Sequence, residues 1–413
     1  MPKYWRTWKG ISRLRLAFSD FLRLVVADIR SSSVYVKASQ LAKMFGLFPI
    51  LKRLFRKNGI RTTETLFGQI VESTKPVIFV SACVDEKEPG GWKYNGGIKE
   101  LNYLVKLLRQ HGYEAYMVTY DGTYEPWLIE HQPHISISEF CSKRTTAKNV
   151  RCVTSYAVAK AFIDESPNLY FWDMELALTD QYHFSVLSRL YKHKIKNVAA
   201  ISKTIQAWHM IYFRKPCTLI PTICDESLWF PIESERRARR IGYINEEPNT
   251  PEYIELIQKK VCAAGFDLEF YLLEGSESNM LMGTRSCEIY LGMNLGKDSL
   301  WGEGCPQTII EALSLGCVVV AFDVIGNREM IQHNFNGVLI SRPDPDLMAG
   351  ALIALYKNPD EINRMRHNAL SLIEYCHTFD ARWPAVSEFL NLDDKSSYSV
   401  PVSYIDNRDY LRI

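Results

Sequence analysis

From Lys75 onward, short apolar runs alternate with amphipathic stretches, and this alternation constrains the fold more than any other feature. Pro76-Val77-Ile78-Phe79-Val80-Ser81 reads as a buried parallel strand, apolar on both faces. A loop with Pro89-Gly90-Gly91 and Asn95-Gly96-Gly97 follows. An amphipathic helix then runs from about Ile98 to Arg109, with Leu101, Leu104, Val105 and Leu108 inward. Gly112 stops it, and Tyr113 to Thr119 forms the next strand. Strand, loop, helix and strand together make the repeating unit of a doubly wound α/β sheet. Val150 to Thr154, Leu169 to Trp172 and Val198 to Ile201 continue the series.

A second series begins at Arg240-Ile241-Gly242-Tyr243-Ile244. It continues with a helix from about Pro251 to Ala264, Gly265 as its stop, and a strand from Leu268 to Leu273. Asp346 to Tyr356 and Glu361 to Tyr375 read as later helices. Between the two series lies Ile220-Pro221-Thr222-Ile223-Cys224-Asp225-Glu226-Ser227-Leu228-Trp229-Phe230-Pro231, where two prolines among turn formers mark a boundary. The fold class is therefore α/β, with two Rossmann-like doubly wound domains: residues 73–222 first and 223–375 second.

The chain carries 47% hydrophobic and 23% charged residues, the balance of a soluble globular protein. No apolar run approaches the ~18 residues that a membrane-spanning helix needs. Ten cysteines stand singly, without a C-x-x-C pair or a His/Cys cluster, which favours reduced thiols in a cytoplasmic protein. The formal net charge of +2 conceals a strong segregation. Residues 1–62 hold fourteen Lys or Arg against Asp20 and Asp28, a net +12, which leaves −10 for the remainder. Ile11, Leu14, Phe18, Phe21, Leu22, Val25 and Ile29 recur there at helical spacing, so residues 1–72 read as a basic amphipathic helical segment. Such a segment either lies on an anionic membrane face or packs on the first domain with its charges solvated. No nucleic-acid module surrounds it, and no nucleic-acid partner is expected.

The chemistry concentrates in Glu303-Gly304-Cys305-Pro306-Gln307-Thr308-Ile309-Ile310-Glu311. Glu303 falls in a loop after the apolar run Glu288 to Met293, and Glu311 lies on a helix that starts near Pro306. Free N–H groups and the positive end of a helix dipole form a cradle for a diphosphate. Ionised carboxylates beside it accept hydrogen bonds from sugar hydroxyls.

These residues resemble the donor-binding region of retaining glycosyltransferases with the GT-B fold (glycosyl transferases group 1, family 4-like). Glu303, Gly304, Pro306, Glu311, Ala312, Gly316, Val318 to Ala321, Gly326, Glu329, Asn336 and Gly337 stand in the order of that signature. Cys305 replaces a common aromatic, and Cys317-Val318 replaces a small residue plus proline. The boundary segment resembles the family's interdomain linker. His377 to Trp383 resembles its final helix, which implies that residues 376–413 return to the first domain.

The resemblance implies a cleft between the two domains. A nucleotide diphosphate-sugar would bind on the second domain, and a glycan or lipid-linked acceptor on the first. It also implies retaining hexosyl transfer with no metal and no further cofactor. In the implied donor site, Glu311 meets ribose hydroxyls, Glu303 sugar hydroxyls, and Gly304, Cys305 and Pro306 the sugar and diphosphate. Gly326, Arg328 and Glu329 line the next loop. Gly96-Gly97 opens the acceptor side. Asp344-Pro345-Asp346 has the letters of a metal motif but reads as a turn and helix cap.

One departure concerns charge. The family commonly places Arg and then Lys after the first strand of the second domain, where this chain reads Gly242-Tyr243-Ile244-Asn245-Glu246-Glu247-Pro248. Lys297 is the substitute cation expected on sequence grounds, followed by Arg328 and Arg285. The expected catalytic residues are Glu303, Lys297 and Asp173, the last at a strand end facing the cleft. A nucleotide-sugar epimerase and a non-catalytic nucleotide-sugar or glycan binder are the alternatives. Placement at the cytoplasmic membrane face through residues 1–62 is also expected.

Overall fold

The computed structural model describes residues 75–81, 95–155, 159–174, 181–245, 249–294 and 305–392, all within the compact unit Lys75–Ile413. The basic segment 1–72 and the tail 393–413 lie outside the described residues.

The first domain is built on β1 (Val77–Ser81), α1 (Gly96–Gln110), β2 (Glu114–Thr119), β3 (His134–Ser136), α2 (Ile137–Thr146), β4 (Val150–Thr154) and α3 (Lys160–Glu165). It continues with β5 (Leu169–Asp173), α4 (Gln181–His193), β6 (Ile195–Ala200), α5 (Lys203–Trp208) and the short β7 (Thr218–Leu219). The strands form one sheet in the order β3-β2-β1-β4-β5-β6-β7, and every pairing is parallel. The order reverses between β1 and β4, so the crevice of this sheet opens at the C-terminal ends of those strands. Ile78, Phe79 and Val80 are wholly buried, as a strand covered by helices on both faces must be.

The second domain holds β8 (Arg240–Tyr243), α6 (Thr250–Ala263), β9 (Glu269–Leu272), α7 (Glu277–Arg285), β10 (Ile289–Gly292), α8 (Gln307–Ser314), β11 (Val318–Phe322), α9 (Ile325–Met330) and β12 (Gly337–Ile340). Three helices follow: α10 (Pro345–Lys357), α11 (Pro359–Cys376) and α12 (Phe379–Phe389). Its parallel sheet runs β12-β11-β10-β8-β9, and its order reverses between β8 and β10. Asp344 caps α10, its side chain accepting a hydrogen bond from Asp346 N at 2.8 Å. Two α/β domains, each with its switch point at the strand C-termini, make the GT-B architecture.

The final helix packs on the first domain. Trp383 stacks on His111 with ring centroids 3.5 Å apart, and Asn197 donates to the Phe389 carbonyl at 2.8 Å. At the boundary, buried His377 pairs its Nδ1 with the Thr222 carbonyl at 2.8 Å, while its own carbonyl accepts from Cys224 N at 2.7 Å. The end of α11 is thereby tied to the linker.

Candidate functional site

Two helix starts meet where the switch points face each other. On the first domain Asn95 caps α1, its side-chain oxygen accepting from Gly97 N at 2.8 Å and Ile98 N at 3.2 Å. On the second domain α8 follows Pro306, whose extended backbone turns the chain into the helix. A Cβ placed on Gly96 would stand 3.3 Å from Gln307 Cβ, so the Gly96-Gly97 turn lets the two helices abut. Gly292 serves the same end beneath them: a Cβ there would press on Ala321 at 2.9 Å and Ile309 at 3.1 Å.

Directly behind this contact lies a buried polar cluster. Lys99, on the first turn of α1, places Nζ 2.5 Å from Glu311 Oε1 and 3.4 Å from Glu277 Oε1. Glu277 also accepts from the Tyr103 hydroxyl at 3.0 Å and from Ile129 N at 2.7 Å. Trp229 donates to the Tyr103 hydroxyl at 2.9 Å, and its ring centroid lies 5.0 Å from Lys99 Nζ. Lys99, Glu277 and Glu311 are each less than a tenth exposed. Burial acts to lower the Lys99 pKa, but attraction to Glu311 and Glu277 outweighs it and raises the value overall. Burial pushes the Glu311 carboxyl up to about 7, against the opposing pull of Lys99. Next to Lys99, the Glu100 carboxylate accepts from Ile223 N of the linker at 3.0 and 3.1 Å, and burial raises it well above the usual carboxylate range.

Near the strand ends, several buried polar atoms among the described residues make no hydrogen bond. Gln307 Oε1, Asn294 Nδ2, Asn327 Oδ1 and Ser155 Oγ are among them. Asn294 follows β10, Asn327 lies on α9, and Asn327 Nδ2 reaches Asn294 Oδ1 only at 3.4 Å. Buried polar atoms left without partners cost about 1–3 kcal/mol each, unless a ligand satisfies them. A polyhydroxylated ligand supplies both donors and acceptors.

The residues singled out from sequence are placed as follows. Glu303, Gly304 and Lys297 lie outside the described residues. Cys305 is buried, its carbonyl accepts from Thr222 Oγ1 at 3.3 Å, and burial pushes its thiol up to about 12. A thiol so protonated is a packing group. Burial raises the Glu329 pKa, and the Lys203 and Thr204 N–H groups at the start of α5 pull it back toward the ionised form. Glu329 therefore spans from the second domain to the first. Gly326 is buried within α9, and Arg328 is bound to Asp323 through Nε at 2.5 Å and Nη2 at 3.0 Å. Asp173 is buried at the end of β5 and holds His209 Nε2 at 2.8 Å, while the Tyr191 hydroxyl bonds His209 Nδ1. Arg285 donates to the Phe230 and Leu228 carbonyls at 3.2 and 3.0 Å.

Lys99, Glu277 and Tyr103 are the site residues that sequence reading missed. Their signal is weak: Lys99 and Glu100 follow Gly96-Gly97 on a helix whose apolar period hides that α1 is covered almost all round.

Residues 295–371 match the family model "Glycosyl transferases group 1". No curated protein matches the chain. Solved structures share the fold at low identity. Sucrose-phosphate synthase from Thermosynechococcus elongatus superposes with a TM-score of 0.58 at 12% identity, covering 77% of this chain and 98% of that one. HepE of Anabaena, solved in complex with UDP-glucose, gives 0.56 at 13% identity, covering 76% and 99%. An α-glucosyltransferase in complex with UDP-glucose and DNA containing an abasic site gives 0.53 at 10% identity, covering 76% and 99%. The matched segment contains α8 and Glu311, seated where two doubly wound domains meet, and the fold is the GT-B fold of these glycosyltransferase structures.

Proposed function

We propose that the chain transfers a hexose from a nucleotide diphosphate-sugar to a glycan or lipid-linked acceptor, with retention and without a divalent metal. The observation that carries this reading is Glu311, buried on α8 and turned toward the first-domain helix that opens at Gly96-Gly97. Its carboxylate is an acceptor for ribose hydroxyls, and the N–H groups at the start of α8 favour the adjoining diphosphate. The partnerless atoms Asn294 Nδ2, Asn327 Oδ1 and Gln307 Oε1 add one donor and two acceptors for the sugar. HepE, of the same fold, was solved with UDP-glucose.

Catalysis in such a site means stabilising charge that develops on the departing diphosphate while keeping water from the sugar. Closure of the two domains meets the second requirement. Glu329, reaching the α5 amides, supports the closed arrangement. Among the described residues no helix is long and apolar enough to cross a membrane. An association with the cytoplasmic membrane face would be peripheral, through the basic amphipathic residues 1–62.

The test is a thermal-shift panel of nucleotide diphosphates and nucleotide sugars, followed by donor turnover with and without a chelator. One nucleotide sugar should stabilise the native chain but not Glu311→Ala, by mass action on the folded state. Silence across the panel would refute the donor site, and loss of turnover to the chelator would refute metal independence. A second reading, a non-catalytic sugar-nucleotide binder, is favoured by the Lys99 ammonium already held by Glu311. Tight binding with no turnover on any acceptor would select it.

A further inference from the structure

The first domain carries an apolar tip that the donor chemistry does not use. Ser202 caps α5, its Oγ accepting from Ile205 N at 3.2 Å. After Trp208 the helix widens into a π-helical turn, His209–Phe213, which ends at Arg214 in the left-handed region with φ 51°. Wide turns of this kind are rare and re-aim side chains. Here the first and last residues of the turn point inward. His209 binds Asp173 and Tyr191, and Phe213 stacks on Tyr191 with centroids 4.2 Å apart. The three residues between them are thrown outward: Met210 is 55% exposed, Ile211 71% and Tyr212 54%. Trp208 stacks on Tyr212 at 4.4 Å and stiffens the tip.

The stretch of chain that carries this tip is cationic throughout. From Gln181 to Cys224 the sequence contains Arg189, Lys192, Lys194, Lys196, Lys203, Arg214 and Lys215 and no Asp or Glu. Arg214 and Lys215 follow the tip directly, and both are exposed. The Tyr191–Phe213 stack brings exposed Lys192 alongside. Large apolar side chains that protrude from a cationic collar match an interface with acyl chains below and anionic headgroups around it. A protein partner of ordinary composition would not require an acid-free stretch of this length.

We propose that Met210, Ile211 and Tyr212, collared by Lys192, Arg214 and Lys215, dock this domain on an anionic lipid bilayer. The surface is distinct from residues 1–62 and deepens the membrane part of the reading above. The start of α5, which Glu329 contacts, lies about 10 Å along the helix from Met210. Docking the tip would thus set the interdomain contact close to the headgroups, where a lipid-linked acceptor resides.

The full-length protein is tested by flotation with vesicles of equal parts phosphatidylcholine and phosphatidylglycerol, and with phosphatidylcholine alone. Hydrogen exchange of residues 205–217 is followed with and without vesicles. The expected result is binding to the anionic vesicles, slowed exchange over 205–217, and an about tenfold weaker partition for Met210→Glu/Ile211→Glu. Arg214→Ser/Lys215→Ser, a milder pair, should weaken partition to the anionic vesicles and lessen its salt sensitivity. Vesicle binding without protection at 205–217 would overturn the proposal while leaving residues 1–62 as the membrane contact. Absence of any vesicle binding would overturn both. Protection of 205–217 that depends on protein concentration and not on lipid would assign the tip to self-association instead.

Discussion

Lys99 Nζ lies 2.5 Å from Glu311 Oε1 across the boundary between the two domains, with both side chains almost fully buried. Removing one member of such a pair leaves the other charge buried without its partner. The loss is typically about 3–5 kcal/mol, whereas removing both costs far less. Lys99→Met should lower stability most, because it leaves both Glu311 and Glu277 without a cation, whereas Glu311→Gln leaves Lys99 its contact with Glu277. The double variant should lose less than the sum of the two. Chemical denaturation of the four proteins checks this, and simple additivity would show that the two residues do not act as a pair.

His377 supplies a pH dependence. Burial and the neighbouring Arg382 guanidinium lower its pKa from 6.5 to about 3, so the fold holds the ring neutral. The unfolded chain takes up a proton near pH 6.5, and the folded one only near 3. The contribution is thus fully present above pH 6.5 and is lost as pH falls toward 3, roughly 3–5 kcal/mol across that window. The stability of His377→Asn, followed by denaturant titration over that range, should fall less steeply than that of the native protein.

Asn294 separates ligand affinity from stability. Its Nδ2 is buried without a partner, so Asn294→Ala should leave the unliganded protein within about 1 kcal/mol of its original stability. The same change should weaken nucleotide-sugar binding by about tenfold, the worth of one hydrogen bond to a buried ligand. Calorimetric titration beside thermal melting distinguishes the two effects.

Gly337 and Gly350 make opposite predictions. A Cβ on Gly337 would sit 2.7 Å from the Val319 carbonyl oxygen, a rigid part of the neighbouring strand. Gly337→Ala should cost about 2–4 kcal/mol through strain. A Cβ on Gly350, inside α10, meets nothing within 4 Å. Gly350→Ala should add up to about 1 kcal/mol by helix propensity. Paired thermal melts suffice.

Much of the architecture was legible because it is written locally. Strand β4 and helices α10 and α11 follow from apolar period and punctuation, within a residue or two of the expected ends. The cap at Asp344 follows from residue chemistry alone. The three-residue β3 and the two-residue β7 were not legible: each is too short to carry a period, and only their neighbours β2 and β6 define them.

Sequence alone determined the two α/β series, the linker between them, and the placing of Glu311 on a helix that begins near Pro306. These depend on side-chain period, glycine and proline geometry, and an ordered motif, all properties of neighbouring residues. Only the tertiary structure decided what Glu311 touches. Lys99 stands 212 residues away, and on its own helix it lies off the apolar stripe. Docking the second domain covers that face of α1 and removes water from it. The low-dielectric surroundings then require every buried charge there to find a partner. The same holds for Asp173 with His209, and for Glu329 with the amides of α5. Each is an ordinary polar residue in the sequence, and burial by a distant element gives it its role.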